Sequence, residues 1–328
     1  MINKNIPNLF IVGAAKCATT SVHDILKSHT EILMSSIKEP NYFADFSLKD
    51  LSKYKQQFYT KTNNKLRKGN FIGEQHATLI EEEELYLKLF KTEETFQYFG
   101  ESSVSYLFSN HSAERIHKFN SKSKIIIILR NPIERMISHF QMDLLIGELN
   151  GVIKNLEKIV EQEFKNIDDV KKNSLNKYLG QSLYFDQVKR FYDYFSPENI
   201  LLLNYEADLS AKNDLLIEKL SAFLKLDKNH FSITKSTKNA KKTPKNVIVS
   251  NFTKNSSYKQ FFKQILSKNF KEFLKSRILY SDKTKNKEFT FSDEVIDLFI
   301  NEKNDLTSIS ETISVNWNFD KFRKNKRH

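Results

Sequence analysis

The sequence predicts an α/β fold, a doubly wound parallel sheet flanked by helices with a helical C-terminal part, on three observations. Leu9–Val12 (LFIV) and Lys124–Leu129 (KIIIIL) are nearly continuous apolar runs, the pattern of strands buried on both faces of a parallel sheet. Each run stops abruptly, at Gly13 and at Arg130-Asn131-Pro132, and apolar residues at helical spacing follow each stop. Asn199–Asn204 (NILLLN) repeats the alternation, which argues for strand and helix in succession along the chain.

At 328 residues the chain has room for one large domain. A single domain over 1–320 is expected, with a basic, disordered tail over 321–328. The one cysteine, Cys17, cannot make an internal disulfide. No apolar segment resembles a signal peptide or a membrane span, so a cytoplasmic location without a span is expected. The 52 Lys and Arg against 40 Asp and Glu give a net charge of +12, which puts polyanions among the possible partners; a compositional bias toward Lys and Asn is the alternative. The lysines are scattered rather than gathered into a recognised module, and no nucleic-acid partner is expected.

Taken in order, the first strand delivers the chain through Gly13–Ala18 to a helix on which Val22, Ile25 and Leu26 recur. Thr19, Thr20 and Ser21 stand at its N-terminus, where N–H groups and a partial positive charge suit a phosphate, and Lys16 adds a full charge. An ordinary strand-to-helix turn with a solvated lysine is the alternative. Ile32–Met34 reads as a short strand leading to Lys38-Glu39-Pro40-Asn41-Tyr42-Phe43, and Pro40 keeps Glu39 out of helical geometry. Ser47–Lys68 is expected to be helical in part, and Glu81–Glu84 to open a solvated helix.

Gly100–Ser103 closes a further strand, and Glu114–Phe119 reads as a short helix. After Lys124–Leu129, Pro132 sits where it can open a helix, with Ile133, Ile137, Phe140 and Leu144 on one buried face. Arg130 is thereby left at the carboxyl end of a strand, with Arg135 and Ser138 early in the helix. Ligands of open α/β sheets bind at that edge, so Lys16 and Arg130 are expected to face one crevice; a structural ion pair is the alternative for Arg130. Gly147–Lys177 reads as a mobile excursion or helical insert, and Tyr184, Val188, Phe191 and Phe195 mark a helix that stops before Pro197. Leu216, Leu220, Phe223 and Leu224 mark the next, Thr234–Lys245 is a lysine-rich loop, and Val295, Leu298, Phe299, Leu306, Ile309 and Ile313 keep helical spacing before Trp317.

Four ordered blocks of this chain resemble the sulfotransferases that use 3'-phosphoadenosine 5'-phosphosulfate (PAPS), especially the branch that includes the heparan sulfate sulfotransferases. Gly13, Ala14, Ala15, Lys16, Cys17, Ala18, Thr19 and Thr20 resemble the 5'-phosphosulfate loop of a P-loop-like fold. Lys38–Phe43 resembles the segment carrying the catalytic glutamate, Lys124–Ser138 the 3'-phosphate motif, and Tyr178–Leu209 the helix and strand that follow. The resemblance implies that Lys16 contacts the leaving phosphate and that Gly13, Ala15, Cys17, Ala18, Thr19 and Thr20 cradle it. It implies that Arg130 and Ser138 bind the 3'-phosphate, with Lys241 a further 3'-phosphate or adenosine-side contact, and that Glu39 is the general base. PAPS is then the co-substrate, no metal is required, and the sulfuryl group passes to a hydroxyl or amine of a glycan or glycoconjugate foremost, or of a lipid-linked sugar or a small metabolite. Cys17 and Ala18 stand where glycines are frequent, Asn41 where some glycan-modifying members carry histidine, and Ser102 where they often carry a substrate-binding lysine.

Two rivals are weighed against this reading. A P-loop kinase or NTPase needs a Gly-Lys-[Ser/Thr] signature and a magnesium-binding acid, whereas here Lys16 follows Gly13 with no second glycine and the KIIIIL strand ends in arginine. A non-catalytic basic module for anionic glycan or nucleic acid needs clustered basic and aromatic residues; Thr234–Lys245 and the tail are the only candidates, and neither forms a recognised module. His23, His29, His76, His111, His117 and His139 show no metal-ligand spacing.

Overall fold

The computed structural model describes residues 5–51, 53–69, 77–146, 155–172, 178–209, 213–232, 288–309 and 315–324. The chain divides into two compact units, Met1–Leu129 with Asp186–Lys241, and Arg130–Phe185 with Lys242–His328. Among the described residues, in chain order, the α-helices are α1 (Thr19–Lys27), α2 (Lys53–Arg67), α3 (Glu83–Leu87), α4 (Ser105–Phe108), α5 (Ser112–Phe119) and α6 (Pro132–Ile146). They continue as α7 (Leu156–Lys165), α8 (Ile167–Lys172), α9 (Tyr184–Tyr194), α10 (Asn213–Leu224) and α11 (Asp293–Ile309). Among the described residues no helix is long and apolar enough to cross a membrane.

The first unit carries a parallel sheet of β1 (Leu9–Gly13), β2 (Ile32–Met34), β3 (Tyr98–Ser102), β4 (Lys124–Leu129) and β5 (Ile200–Asn204), in the order β2-β3-β1-β4-β5. Leu9 pairs with Gly100 on one side and Lys124 on the other, while β4 and β5 run in unbroken register from Ile125↔Ile200 to Leu129↔Asn204. The apolar residues of the two runs that announced the fold, Leu9–Val12 and Ile125–Leu129, are fully buried. Burying one such side chain contributes about 1.5–3 kcal/mol, so these central strands form the heart of the core. Because β1 lies between β3 and β4, the chain order reverses beside it, and its carboxyl end is the topological switch point where ligands of such sheets bind.

Helix α4 closes on that carboxyl end. A Cβ placed on Gly13, whose φ is 154°, would stand 2.6 Å from Leu107 Cβ. Gly13→Ala is therefore expected to lower unfolding free energy by about 1–3 kcal/mol through overpacking, read from urea titration. A variant as stable as wild type would mean that α4 does not need this close approach. Phe43 anchors the segment after β2, its ring meeting Phe10 at 5.9 Å, Tyr86 at 5.5 Å, Tyr106 at 5.8 Å and Phe119 at 5.2 Å, all edge-on. Glu83 and Glu84 lie in the first turn of α3, as expected for the acidic run.

The second unit corrects two expectations. On α6 Ile133, Met136 and Phe140 are buried, while Ile137 is half-buried and Leu144 is exposed. The stripe is rotated because Arg135, fully buried, occupies part of the inward face. The tail expected to be disordered from residue 321 is ordered through Lys324. Phe291 N–H donates to Phe322 O at 2.8 Å, Lys324 N–H returns to Phe291 O at 3.2 Å, and Phe322 is buried. Lys321, Arg323 and Lys324 pair with Glu134, Asp293 and Glu161, although exposed pairs of this kind add at most about 1 kcal/mol each. The insert contains α7 and α8, with Glu163 accepting from the N–H groups of Tyr178 at 3.1 Å and Leu179 at 2.6 Å. Trp317 is buried with its ring centroid 5.9 Å from that of Tyr184.

Candidate functional site

The loop from β1 to α1 is held at its start, where Ala14 N–H donates to Ile128 O at 2.7 Å and Cys17 N–H donates to Ala14 O at 3.3 Å. Lys16 and Ala18 both take left-handed backbone, with φ of 70° and 63°. Turns of this kind point successive amides to one side and form anion-binding nests. The chain gives α1 no capping side chain at Ala18 and no acid in its first turn, so the helix dipole faces an incoming anion. Thr19 is buried at the helix start, with Ala15, Lys16 and Thr20 half-buried around it. Ala18 occupies a conformation that costs a non-glycine residue about 1–2 kcal/mol. Cys17 is buried, its thiol 3.6 Å from Ala15 O, and acts as a filler beneath the loop.

Glu39 lies five residues past β2 in a second left-handed turn, with φ of 78° at Glu39 and 55° at Asn41. Such strain persists only where surrounding bonds over-determine it. Here Glu39 O accepts from Thr78 N–H at 2.9 Å and from Asn41 Nδ2 at 2.9 Å, and Pro40 O accepts from Ile80 N–H at 3.0 Å. Asn41 spends its whole side chain on the turn, donating also to Thr78 O at 2.7 Å and accepting from Ser105 Oγ at 2.6 Å. Its N–H donates to Ser103 Oγ at 3.2 Å, and Ser103 N–H donates to Ile11 O at 3.0 Å. Ser103 thus ties the Glu39 turn to β1, the strand that carries the Lys16 loop. The Glu39 carboxylate meets Lys38 Nζ at 2.9 Å, both side chains being largely buried. The ammonium balances the carboxylate in this pair and also offsets, through its charge, the upward push of burial on Asp24.

The residue that the sequence reading passed over is Glu101. It lies in β3, fully buried, and accepts three hydroxyl bonds: Tyr86 OH at 2.8 Å and Tyr106 OH at 2.7 Å on Oε1, and Ser103 Oγ at 2.7 Å on Oε2. Burial pushes its carboxyl up to about 7; the three hydroxyls oppose this and the charge of Glu39 adds to it. A folded value above the unfolded one means that the stabilising contribution is present below the ordinary carboxylate range and lost as pH rises through about 7. Wild type is expected to lose unfolding free energy over that window, and Glu101→Gln to lose less, as measured by urea titration at successive pH values. Parallel pH curves would contradict the assignment. The sequence signal was an acid inside a strand flanked by Gly100 and Ser102, with Tyr86 and Tyr106 nearby in the chain.

Arg130 and Ser138 belong to the second unit. Arg130 follows β4 and pairs with Glu134 at 3.1 Å, one helical turn on, so the ion pair considered from the sequence is present. Burial raises the Glu134 carboxyl, but Lys321 and Arg130 together hold it below the usual carboxylate range. Ser138 is half-buried on α6. Arg135 is an anchor for the start of α6, its Nε donating to Ser182 Oγ at 2.6 Å and its Nη2 to Tyr178 O at 2.7 Å. Lys241 lies outside the described residues, as does His76.

Among the described residues one group brings three metal-ligating atoms within 4.8 Å of one another: His29, Glu31 and His230. His29 uses both ring nitrogens internally, Nδ1 accepting from Glu31 N–H at 3.1 Å and Nε2 meeting Asp227 O at 3.1 Å. That arrangement clasps the end of α1 to the Lys228–His230 turn.

Comparison with known proteins adds to this geometry. A model of the sulfotransferase domain family matches residues 7–303, running through both units. Carbohydrate sulfotransferase 15 of Mus musculus is 24% identical over 264 residues, covering 70% of this chain and 46% of that protein. The chain therefore matches less than half the length of that relative. Amine sulfotransferase of Oryctolagus cuniculus is 34% identical over 110 residues, 33% of this chain and 32% of that protein. The crystal structure of a sulfotransferase from Alicyclobacillus acidocaldarius superposes with a TM-score of 0.60 at 21% identity, over 94% of this chain and 97% of that one. That likeness establishes a shared fold, the five-stranded parallel sheet flanked by helices.

Proposed function

The chain belongs to the sulfotransferase domain family, and on that premise we propose that it transfers the sulfuryl group of PAPS to an acceptor hydroxyl, with Glu39 as general base and Lys16 at the leaving phosphate. The observation that carries this reading lies within the first unit: an uncapped helix N-terminus beside Lys16, tied through Ser103 and β1 to a strained turn presenting a carboxylate. The residues of the loop fit a 5'-phosphosulfate, because left-handed turns at Lys16 and Ala18 and the hydroxyls of Thr19 and Thr20 supply donors where that group is most negative.

The step balances simply. The acceptor oxygen forms a bond to sulfur while its proton passes to the Glu39 carboxylate. The bond from sulfur to the bridging oxygen breaks, and its electron pair stays on the 5'-phosphate, where Lys16 meets the new charge. Sulfuryl transfer, like phosphoryl transfer, asks the protein mainly to position groups and stabilise charge. Arg130, with Ser138, holds the 3'-phosphate in this reading, exchanging its bond to Glu134 for the phosphate, and Lys241 is assigned, from the sequence alone, a further 3'-phosphate or adenosine-side contact.

A glycan or glycoconjugate is the acceptor class we favour, supported by the carbohydrate sulfotransferase 15 relative; the amine sulfotransferase relative makes nitrogen acceptors the comparison. The test is transfer of labelled sulfate from PAPS to chondroitin, a lipid-linked N-acetylglucosamine, 2-naphthol and octylamine. Label in either glycan and little elsewhere is expected. Label in octylamine alone would overturn the acceptor class, and release of inorganic phosphate from ATP in place of sulfate transfer would overturn the reaction.

A further inference from the structure

Within the first unit, the Glu39 turn shares with the Lys16–Ala18 loop a left-handed φ at two non-glycine positions in three residues. Its carbonyl groups are held by the 78–80 stretch. Its N–H groups are held from beneath, by a different device. Asn41 N–H donates to Ser103 Oγ and Phe43 N–H donates to Tyr106 OH, at 3.2 and 3.3 Å. A hydroxyl has one proton and two lone pairs, so its orientation decides whether it accepts. Both hydroxyls give their protons to one group, the Glu101 carboxylate, at 2.7 Å each. Their lone pairs are thereby turned to the turn's backbone, and the third hydroxyl, from Tyr86, completes the carboxylate's shell.

Resting on the assignment of Glu39 as base, we propose that Glu101 is a positioning residue: its buried carboxyl orients Ser103 and Tyr106 to clamp the amides of Asn41 and Phe43, and so fixes the turn that presents Glu39. Two features set this apart from core packing. The charged or polar partners facing Glu101 are Tyr86 from α3, Tyr106 from α4, Ser103 beyond its own strand, and the charge of Glu39, with Tyr42 stacked on Tyr86 at 4.4 Å; the described interactions give it no cation as partner. An unpaired acid is an unfavourable way to fill a core position, since leucine fills it without desolvation. What leucine lacks is an acceptor. The neutral form of the acid also serves: Oε1 still accepts from the two tyrosines, while the proton on Oε2 is given to Ser103, whose remaining lone pair keeps the Asn41 amide.

That symmetry makes Glu101→Gln the conservative variant and Glu101→Leu the disruptive one. Amide exchange across residues 38–43, read by mass spectrometry with the PAP-bound protein, tests the clamp without any acceptor. Turnover of PAPS with whichever of the four acceptors is sulfated tests its consequence. In Glu101→Leu we expect exchange at Asn41 and Phe43 to quicken by about tenfold or more and kcat to fall by a similar factor, with KM for PAPS unchanged. Glu101→Gln should stay within about threefold of wild type in both. If Glu101→Leu does not fold, the double variant Ser103→Ala/Tyr106→Phe removes the same two acceptors at nearly constant volume, and the same changes are expected. Wild-type exchange and kcat in the disruptive variants would overturn the proposal, as would a Glu101→Gln variant no better than Glu101→Leu. The two readings fail separately: undiminished turnover in Glu39→Gln removes the base, whereas the exchange measurement judges the clamp alone.

Discussion

Glu39→Gln is expected to lower kcat by roughly 10²–10⁴-fold while leaving affinity for 3'-phosphoadenosine 5'-phosphate (PAP) unchanged within about twofold. Gln keeps the volume and a hydrogen-bonding end, so it can still bond Lys38, but it cannot take a proton from the acceptor. The turn does not depend on the side chain that is changed. Its strain is held by Thr78, Asn41, Ser103 and Tyr106 through backbone groups and neighbouring side chains. A loss of turnover with intact donor binding is therefore the signature of a base. Loss of both would instead indicate that the pair with Lys38, at 2.9 Å, supports the fold of the donor site. Single-turnover rates with sulfated product quantified separate the two outcomes.

Lys16→Met is the second large expectation. The methionine retains most of the half-buried side chain's volume and removes the charge that meets the leaving phosphate, so kcat is expected to fall by about 10²–10³-fold, the usual cost of losing one donor aimed at developing charge. PAP affinity should fall as well, because the product keeps its 5'-phosphate. The effect should be larger on kcat than on binding, since negative charge on the bridging oxygen is greatest as the sulfur leaves. Equal losses in both would reduce Lys16 to a uniform anion contact. An unchanged kcat would make it the solvated lysine of an ordinary strand-to-helix turn.

The parts legible in the sequence were those set by local pattern. Leu9–Val12 and Ile125–Leu129 read as buried strands because parallel strands covered on both faces leave no polar alternation to confuse the period. The loop was legible because Gly13 breaks one run at the point where α1 begins. What escaped were groups whose role depends on tertiary partners. Glu101 accepts from Tyr86, Tyr106 and Ser103, brought together from α3, α4 and the end of β3; an acid inside a strand was visible in the chain, but which hydroxyls would meet it was not. Arg135 displaced the predicted apolar stripe of α6 because its guanidinium is satisfied by Ser182 and the Tyr178 carbonyl, more than forty residues on. The order of the tail through Lys324 depends on backbone bonds to Phe291, which composition cannot reveal. His29 and His230 meet across a span of chain too long for any ligand-spacing rule.

Among the departures from the family pattern, Asn41 is the one the geometry explains. At φ of 55° an asparagine is among the residues best tolerated, and its amide closes the turn on Glu39 O and Thr78 O. Ala18 does the reverse, holding a left-handed position without the freedom of glycine.

The most direct test of a PAPS site is a calorimetric titration of wild type with PAP, with adenosine 5'-monophosphate, and with ATP in the presence of magnesium. The donor site described above predicts one PAP per chain, and affinity lower by about tenfold or more for the nucleotide that lacks the 3'-phosphate, since a charge-assisted contact of that kind contributes about 1.5–3 kcal/mol. Failure to bind PAP, or tighter binding of ATP with magnesium than of PAP, would contradict it.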